Sequence, residues 1–221
     1  MPYSAGMPSK RTYGDVCGVA RALDLVGERW SLMIVRELLL GPKRFTDLRT
    51  GLPSVGPDVL AQRLRDLDAG GLVEKRILPP PAAAKVYVLT ALGRRLEPVV
   101  MALGTFGSHL PIPEDGPMQM SFDAHILSLR TLFDPERAQD LDARVQLVLD
   151  DRPYAAEVHD DAFTIEAGEV DHPGATITGD PGAVLGVAHG RVPLAGSGLE
   201  VDGNTELAHR FLALFPLPAP A

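Results

Sequence analysis

The chain has 221 residues, 45% of them apolar and 23% charged, with one cysteine and a formal net charge of −8. That composition supports one large domain or two ordinary ones and excludes a largely disordered chain. No apolar run approaches the roughly 18–20 residues that span a bilayer, and the opening MPYSAGMPSKRTYGD lacks the apolar core of a signal peptide, so the expectation is a cytoplasmic protein without a membrane partner.

The average charge conceals a division. Residues 1–110 carry 15 Lys and Arg against 10 Asp and Glu, whereas residues 111–221 carry 6 against 19. All four lysines (Lys10, Lys43, Lys75, Lys85) lie in the first half. Such asymmetry marks two units with different partners, and a basic half is what a phosphate backbone requires.

In the first half, Val16, Val19, Ala20, Leu23 and Val26 recur at helical spacing and predict a helix over 16–26. Trp30, Met33, Ile34 and Leu38 predict a second over 30–40, stopped by Gly41-Pro42. A short helix starts at Phe45, with Leu52-Pro53 beyond it. Pro57 sits at a first-turn position, and the helix it opens runs to about Ala69, ended by Gly70-Gly71. Segments 72–78 and 86–89 read as two strands around a turn of three prolines and three alanines. Thr90 begins one long helix reaching about residue 109. Three helices followed by a hairpin describe a winged helix-turn-helix.

Residues 111–117, rich in proline and glycine, read as a linker between a domain over 1–110 and another over 118–221. In the second half, Phe122, Ile126, Leu129, Leu132 and Phe133 mark an amphipathic helix. Period-two runs follow at Val145/Leu147/Leu149, Tyr154/Ala156/Val158, Phe163/Ile165/Ala167 and Ala175/Ile177. Separated by polar turns, they predict an antiparallel meander with one buried face. Asp180-Pro181 opens a helix as cap and first residue, and a last helix covers 205–215, before a Pro/Ala-rich tail. The fold class is α+β: an N-terminal winged helix-turn-helix and a C-terminal antiparallel sheet with helices.

The helix from Pro57 carries the sharpest chemistry. Leu60, Leu64 and Leu67 fall within about 60° on a helical wheel and must face a core. Asp58, Gln62, Arg65 and Asp66 then point away. In a major groove, Gln pairs with adenine N6/N7 and Arg with guanine O6/N7. Arg63 lies beside the leucine stripe, where its stem can pack and its head reach a phosphate. Lys43 and Arg44 precede the short helix and are placed to clamp backbone phosphate. Lys75, Arg76 and Lys85 lie on the arms of the wing. A lone helix bearing Gln62 and Arg65 would be read as a solvated face; the preceding helix and turn and the following basic hairpin favour DNA.

These residues also resemble a known family. The stretch Cys17-Gly-Val-Ala-Arg-Ala-Leu-Asp-Leu-Val-Gly-Glu-Arg-Trp30, then Ile34-Val-Arg-Glu-Leu38, Gly41-Pro-Lys-Arg-Phe-Thr-Asp-Leu48, Leu60-Ala-Gln-Arg-Leu-Arg-Asp-Leu67, Gly71-Leu-Val-Glu74 and Tyr87-Val-Leu-Thr-Ala-Leu-Gly93 is similar to the HxlR family of winged-helix transcriptional regulators. The resemblance covers about residues 15–109. It implies a homodimer, joined largely through the helix after the wing and the N-terminal helix, each subunit reading one half-site. Gly18 stands where the family commonly has proline after the cysteine, and Gly56 where a serine usually caps the recognition helix. The second half, over about 118–215, is similar to the sterol-carrier-protein-2-like (SCP2-like) fold through Val145-Gln-Leu-Val-Leu149, Pro153-Tyr154, Ala175-Thr-Ile-Thr-Gly-Asp180 and Val201-Asp-Gly-Asn-Thr205. That resemblance implies an apolar cavity for lipids or other hydrophobic molecules. By direction, Phe122, Leu147, Phe163, Ile165, Ile177, Phe211 and Phe215 are candidates to line it, against the plainer reading of each as core.

Cys17, as the lone thiol at a helix start, can form neither an internal disulfide nor a thiolate zinc cluster. It is a candidate redox sensor, set against a small residue at a dimer contact. The six histidines show no metal-ligand spacing, and Ser197 between two glycines lacks the context of a phosphate loop or a nucleophile elbow. The expectation is therefore a dimeric DNA-binding regulator, not an enzyme, with no metal and no cofactor. Its partners are double-stranded DNA, a second copy of itself and a hydrophobic small-molecule effector. One rival is a lipid or hydrophobic-metabolite carrier whose winged helix serves only dimerisation; another, an enzyme using the second-half cavity, has no motif behind it.

Overall fold

The computed structural model describes residues 12–80, 83–111 and 119–218. The first eleven residues, Pro81 and Ala82 of the expected turn, all of the expected linker but Pro111, and the last three residues of the tail lie outside the described residues. The chain forms two compact units, Met1–Val100 and Met101–Ala221.

The first unit contains α1 (Gly18–Val26), α2 (Ser31–Leu39), α3 (Phe45–Gly51), α4 (Pro57–Ala69), β1 (Val73–Ile77), β2 (Lys85–Leu89) and α5 (Ala91–Arg94), and α6 (Glu97–Ser108) starts in it. Leu60, Leu64 and Leu67 of α4 are 0%, 1% and 0% exposed, in a core that also holds Ile34, Leu38 and Leu48. β1 and β2 pair antiparallel from Val73↔Leu89 to Ile77↔Lys85. Reciprocal backbone bonds of 3.1 and 2.8 Å tie Lys43 to Tyr87, so the chain entering α3 is fixed to the hairpin.

The single helix expected over residues 91–109 is divided in two. Pro98 has no amide hydrogen, and its ring would meet the carbonyl four residues back, that of Arg94. The amides of Arg95 and Leu96 instead turn back three residues, to Leu92 and Gly93, at 3.1 Å each. Thr90 secures the start: its hydroxyl oxygen accepts from the Gly93 amide at 3.0 Å and donates to the Gly71 carbonyl at 2.6 Å.

The second unit contains the remainder of α6, then α7 (Phe122–Leu132), β3 (Ala143–Leu149), β4 (Arg152–His159), β5 (Ala162–Ala167), β6 (Ala175–Gly179), α8 (Pro181–Ala188), β7 (Glu200–Gly203) and α9 (Thr205–Leu212). Ser121, Asp180 and Asn204 cap α7, α8 and α9 with side-chain oxygens that accept from amides three residues on. The strand order is β5-β4-β3-β6-β7. The antiparallel meander is corrected here: β3, β4 and β5 form one, but β6 lies parallel to β3 from Val145↔Ala175 to Leu149↔Gly179. β7, an element the alternation pattern does not reveal, pairs antiparallel with β6.

The physical reason for the parallel pairing lies in Gln146. It occupies the face of β3 opposite Val145 and Leu147, where alternation predicts an exposed residue, yet it is only 7% exposed. Its Nε2 lies 3.0 Å from the Tyr154 carbonyl and 3.3 Å from those of Leu147 and Gly168, and its Oε1 accepts from the Val170 amide at 2.8 Å. One amide side chain thus secures the start of the connection from β5 back across the sheet, and the Gly174 amide completes it on the Arg144 carbonyl at 2.8 Å.

Replacing Gln146 with leucine would leave buried backbone groups of that connection without partners. The expected loss is about 2–4 kcal/mol of stability, read as a lowered urea midpoint, with faster hydrogen exchange at the Val170 amide.

Candidate nucleic-acid interface and a cavity in the second unit

Burial of the leucine stripe turns the other face of α4 outward. Asp58 and Arg65 are exposed and Gln62 is half-buried. The polar residues are linked to one another: Arg65 Nη2 donates to Gln62 Oε1 at 2.6 Å, and Gln62 Nε2 donates to Asp66 Oδ1 at 3.0 Å. Bonds between such surface groups have a net worth of little over 1 kcal/mol, so a base edge offering two bonds can displace them. Pro57 occupies the first position of α4, and the Gly56 cap makes no side-chain bond.

Arg63 differs from its neighbours. Its side chain is 18% exposed, and its guanidinium bridges Asp66 at 2.9 Å and Glu28, in the turn between α1 and α2, at 3.4 Å. The structure thus gives it a role in fixing α4. Lys43 is half-buried and Arg44 exposed at the start of α3. Lys75 lies 3.6 Å from Asp68 and above the Tyr87 ring, Arg76 pairs with Glu74, and Lys85 is exposed on the second arm of the hairpin. Cys17 precedes α1, exposed, and the backbone amides of Ala20 and Val19 at the helix start lower the pKa of its thiol, although its side chain makes no cap hydrogen bond.

In the second unit, Leu147, Ile177, Phe211 and Phe215 are fully buried and Ile165 nearly so. Phe163, Phe211 and Phe215 interlock with Phe133 at ring separations of 4.9–6.1 Å, while Phe122 lies 5.7 Å from the Tyr154 ring and 4.5 Å beneath Arg152. These side chains fill the space that the resemblance would leave open. A cavity of about 650 Å³ lies elsewhere, against α6, α7 and α8, and none of the seven candidate residues lines it. His125, His189 and Arg191 contribute its charged or titratable groups. They carry no diagnostic spacing; the legible signal is a pair of glycines in each of two largely apolar helices, Gly104 and Gly107 in α6, Gly182 and Gly186 in α8. Among the described residues no group of three His, Cys, Asp or Glu could hold a metal ion, and no helix is long and apolar enough to cross a membrane.

Residues 25–114 match the HxlR-like helix-turn-helix family. An uncharacterized HTH-type transcriptional regulator of Synechocystis is 34% identical over 95 residues, covering 43% of this chain and 70% of that protein. The HTH-type transcriptional regulator YodB of Bacillus subtilis is 32% identical over 94 residues, covering 42% of this chain and 84% of YodB. The redox regulator HypR in its oxidized form matches with 31% identity over 44% of this chain and all of that chain, at a TM-score of 0.41. The chain belongs to the HxlR-like helix-turn-helix family, and its N-terminal part is a transcriptional-regulator domain of that family.

Burial of the His189 ring, reinforced by the Arg191 charge, pushes its pKa down from 6.5 to about 4. Between those values the unfolded chain takes up a proton that the folded chain does not, so this group's contribution to stability is complete above about pH 6.5 and is lost as pH falls toward 4. Urea midpoints measured from pH 7 to 4 should fall less steeply in His189→Gln than in the parent chain; equal slopes would show that His189 does not titrate in this way.

Proposed function

We propose that the protein is a homodimeric transcriptional regulator that lays α4 of each subunit in the major groove of double-stranded DNA. The observation that carries this reading is the Gln62–Arg65 ridge, turned outward by the buried Leu60, Leu64 and Leu67 on the helix that follows the turn. Gln62 and Arg65 read base edges. Lys43, Arg44, Lys75, Arg76 and Lys85 contact phosphate, with Arg63 holding α4 and Asp58 at its first turn. Support for a second copy comes from apolar residues left exposed at helical spacing: Val99, Leu103, Phe106 and Leu110 along and just after α6, and Val16, Val19 and Leu23 along and just before α1. Phe106 is 65% exposed, an exposure that a partner surface would remove. Two recognition helices would then meet half-sites about 34 Å apart.

The C-terminal domain, residues 118–221, acts in this reading as an SCP2-like sensor. A hydrophobic small molecule bound there changes DNA affinity by favouring one spacing of the two recognition helices, and it can do so only by binding the two states with different affinity. Cys17, exposed and with a favoured thiolate, is a second input, open to oxidants. The 650 Å³ cavity also fits a carrier of hydrophobic metabolites that uses the winged helix only to dimerise. Mobility shift with genomic fragments separates the two, since a carrier retains only non-specific affinity.

At a cognate site, Gln62→Ala and Arg65→Ala should each cost about 1–3 kcal/mol and relax the base preference at one position; unchanged affinity and footprint in both would refute the assignment. Replacing Lys75 and Arg76 together by alanine should weaken binding to every sequence and reduce the salt slope by roughly 1–2. A loss confined to one operator would contradict a phosphate role.

A further inference from the structure

The outward ridge of α4 is held by more than its own helix. Asp66 Oδ1 accepts from Gln62 Nε2 at 3.0 Å, and Asp66 Oδ2 lies 2.9 Å from the Arg63 guanidinium. The same guanidinium reaches Glu28 at 3.4 Å, in the turn between α1 and α2. Glu28, Arg63, Asp66 and Gln62 thus form one polar chain from the scaffold to a side chain on the outward ridge. Its scaffold end is fixed. The Glu28 carbonyl accepts from the Ser31 amide at 3.0 Å, and Trp30 takes a left-handed φ of 79°, a conformation that a bulky residue keeps only where its surroundings impose it. Trp30 is half-buried and packs against the core of the first unit. The middle of the chain is covered: the side chains of Arg63 and Asp66 are 18% and 13% exposed. With both oxygens engaged, Asp66 is not placed to read a base itself.

We propose that Asp66 is a positioning residue that determines sequence specificity by setting the sense in which Gln62 presents its amide to DNA. A carboxylate only accepts hydrogen bonds. The Nε2 end of Gln62 must therefore face Asp66, because the reversed amide would set two oxygens against each other. Arg65, which only donates, agrees with that sense through its bond to Gln62 Oε1 at 2.6 Å. The Arg65 bond is exposed and the more readily displaced by a base edge; the Asp66 bond is partly covered. Nε2 carries a second hydrogen and Oε1 two acceptor sites, so the amide can meet adenine N7 and N6 while Asp66 still holds it. An amide of one sense matches one order of acceptor and donor along a base edge, whereas an amide free to turn matches both. Discrimination at that base pair then belongs to Asp66 as much as to Gln62, and Arg63 and Glu28 act through it. The inference rests on the proposed reading of α4 as the recognition helix.

The test uses the full chain and a pool of random-sequence duplexes. A duplex enriched by binding is varied one base pair at a time, and the pair whose preference Gln62→Ala removes is the one Gln62 reads. Asp66→Asn keeps the size of the side chain but lets it donate as well as accept, so both senses of the amide become available. It should lower the preference at that pair about fivefold or more and leave the preference at the other pairs unchanged. Binding to a duplex without the site should be equal or slightly tighter, since one negative charge is removed. Asp66→Glu, which still only accepts, should retain most of the preference. In a Gln62→Ala background, Asp66→Asn should change the preference no further. Glu28→Ala, at the exposed end of the chain, should relax the same pair more weakly. Full preference in Asp66→Asn, an equal loss on every duplex, or a further loss in the double variant overturns the proposal. Should Asp66→Asn fail to fold, Glu28→Ala decides the matter: relaxation at that pair alone supports the proposal, and none overturns it. A pool from which no duplex is enriched overturns the regulator and this inference with it, whereas enrichment by a chain indifferent to Asp66→Asn overturns the inference alone.

Discussion

Burial of three leucines on one side of α4 is the constraint from which the reading of the first unit follows. Leu60, Leu64 and Leu67 sit among Ile34, Leu38 and Leu48 with essentially no solvent contact. Losing one to alanine would cost about 2–5 kcal/mol, far more than any surface bond on the opposite face contributes. The helix therefore has one rotational setting, and that setting alone decides that Gln62 and Arg65 face outward. The Arg63 bridge to Glu28 and the Lys43–Tyr87 pairing act in the same direction. They hold α4 and the hairpin to the scaffold, so that the charged groups of ridge and wing keep a fixed mutual geometry. A reader of DNA needs that rigidity, because each base contact is worth only a few kcal/mol and is lost with a small displacement.

The second unit distributes its free volume unevenly. The side of the sheet under α9 is closed by interlocked phenyl rings, and the other side carries the Gln146-bound connection. Open volume survives where α6 and α8 present glycines. This is a packing outcome as well as a chemical one. Helices lined by small residues can be held apart by the elements around them without a side chain to fill the gap.

Legibility in the sequence followed the range of the interactions involved. The helices and hairpin of the first unit were readable because each depends on local signals: the leucine spacing, Pro57 as a first-turn residue, Gly70-Gly71 as a stop. The caps Asp180 and Thr90 were readable for the same reason. The break at Arg95–Leu96 was also local, written in Pro98, but the apolar periodicity on both sides of it spoke for continuity. The parallel placement of β6 was not readable. Alternation specifies which face of a strand is buried, and it is silent on which neighbour the strand pairs with. Gln146 reads as one more outward polar residue because three of its partners, Tyr154, Gly168 and Val170, come from elsewhere in the chain. The aromatic residues were correctly directed inward, but direction alone does not separate a filled core from a lined cavity. Polar candidates on α4 were legible as a face, whereas the tie from Arg63 to Glu28, across 35 residues of sequence, was not.

Charge completes the argument, because the net value of −8 and the basic first half point in opposite directions. Electrostatic attraction to DNA is governed by cations within hydrogen-bonding reach of phosphate. At physiological salt, charges further off than about 8 Å are largely screened. In the proposed reading, Lys43 and Arg44 before α3 and Lys75, Arg76 and Lys85 on the hairpin act at contact distance, where screening is weak. A regulator of the kind proposed, with a net charge of −8, would rely less on non-specific attraction and more on the directional bonds of the Gln62–Arg65 ridge. Its discrimination between sequences is then greater, for a given affinity, than that of a uniformly basic protein.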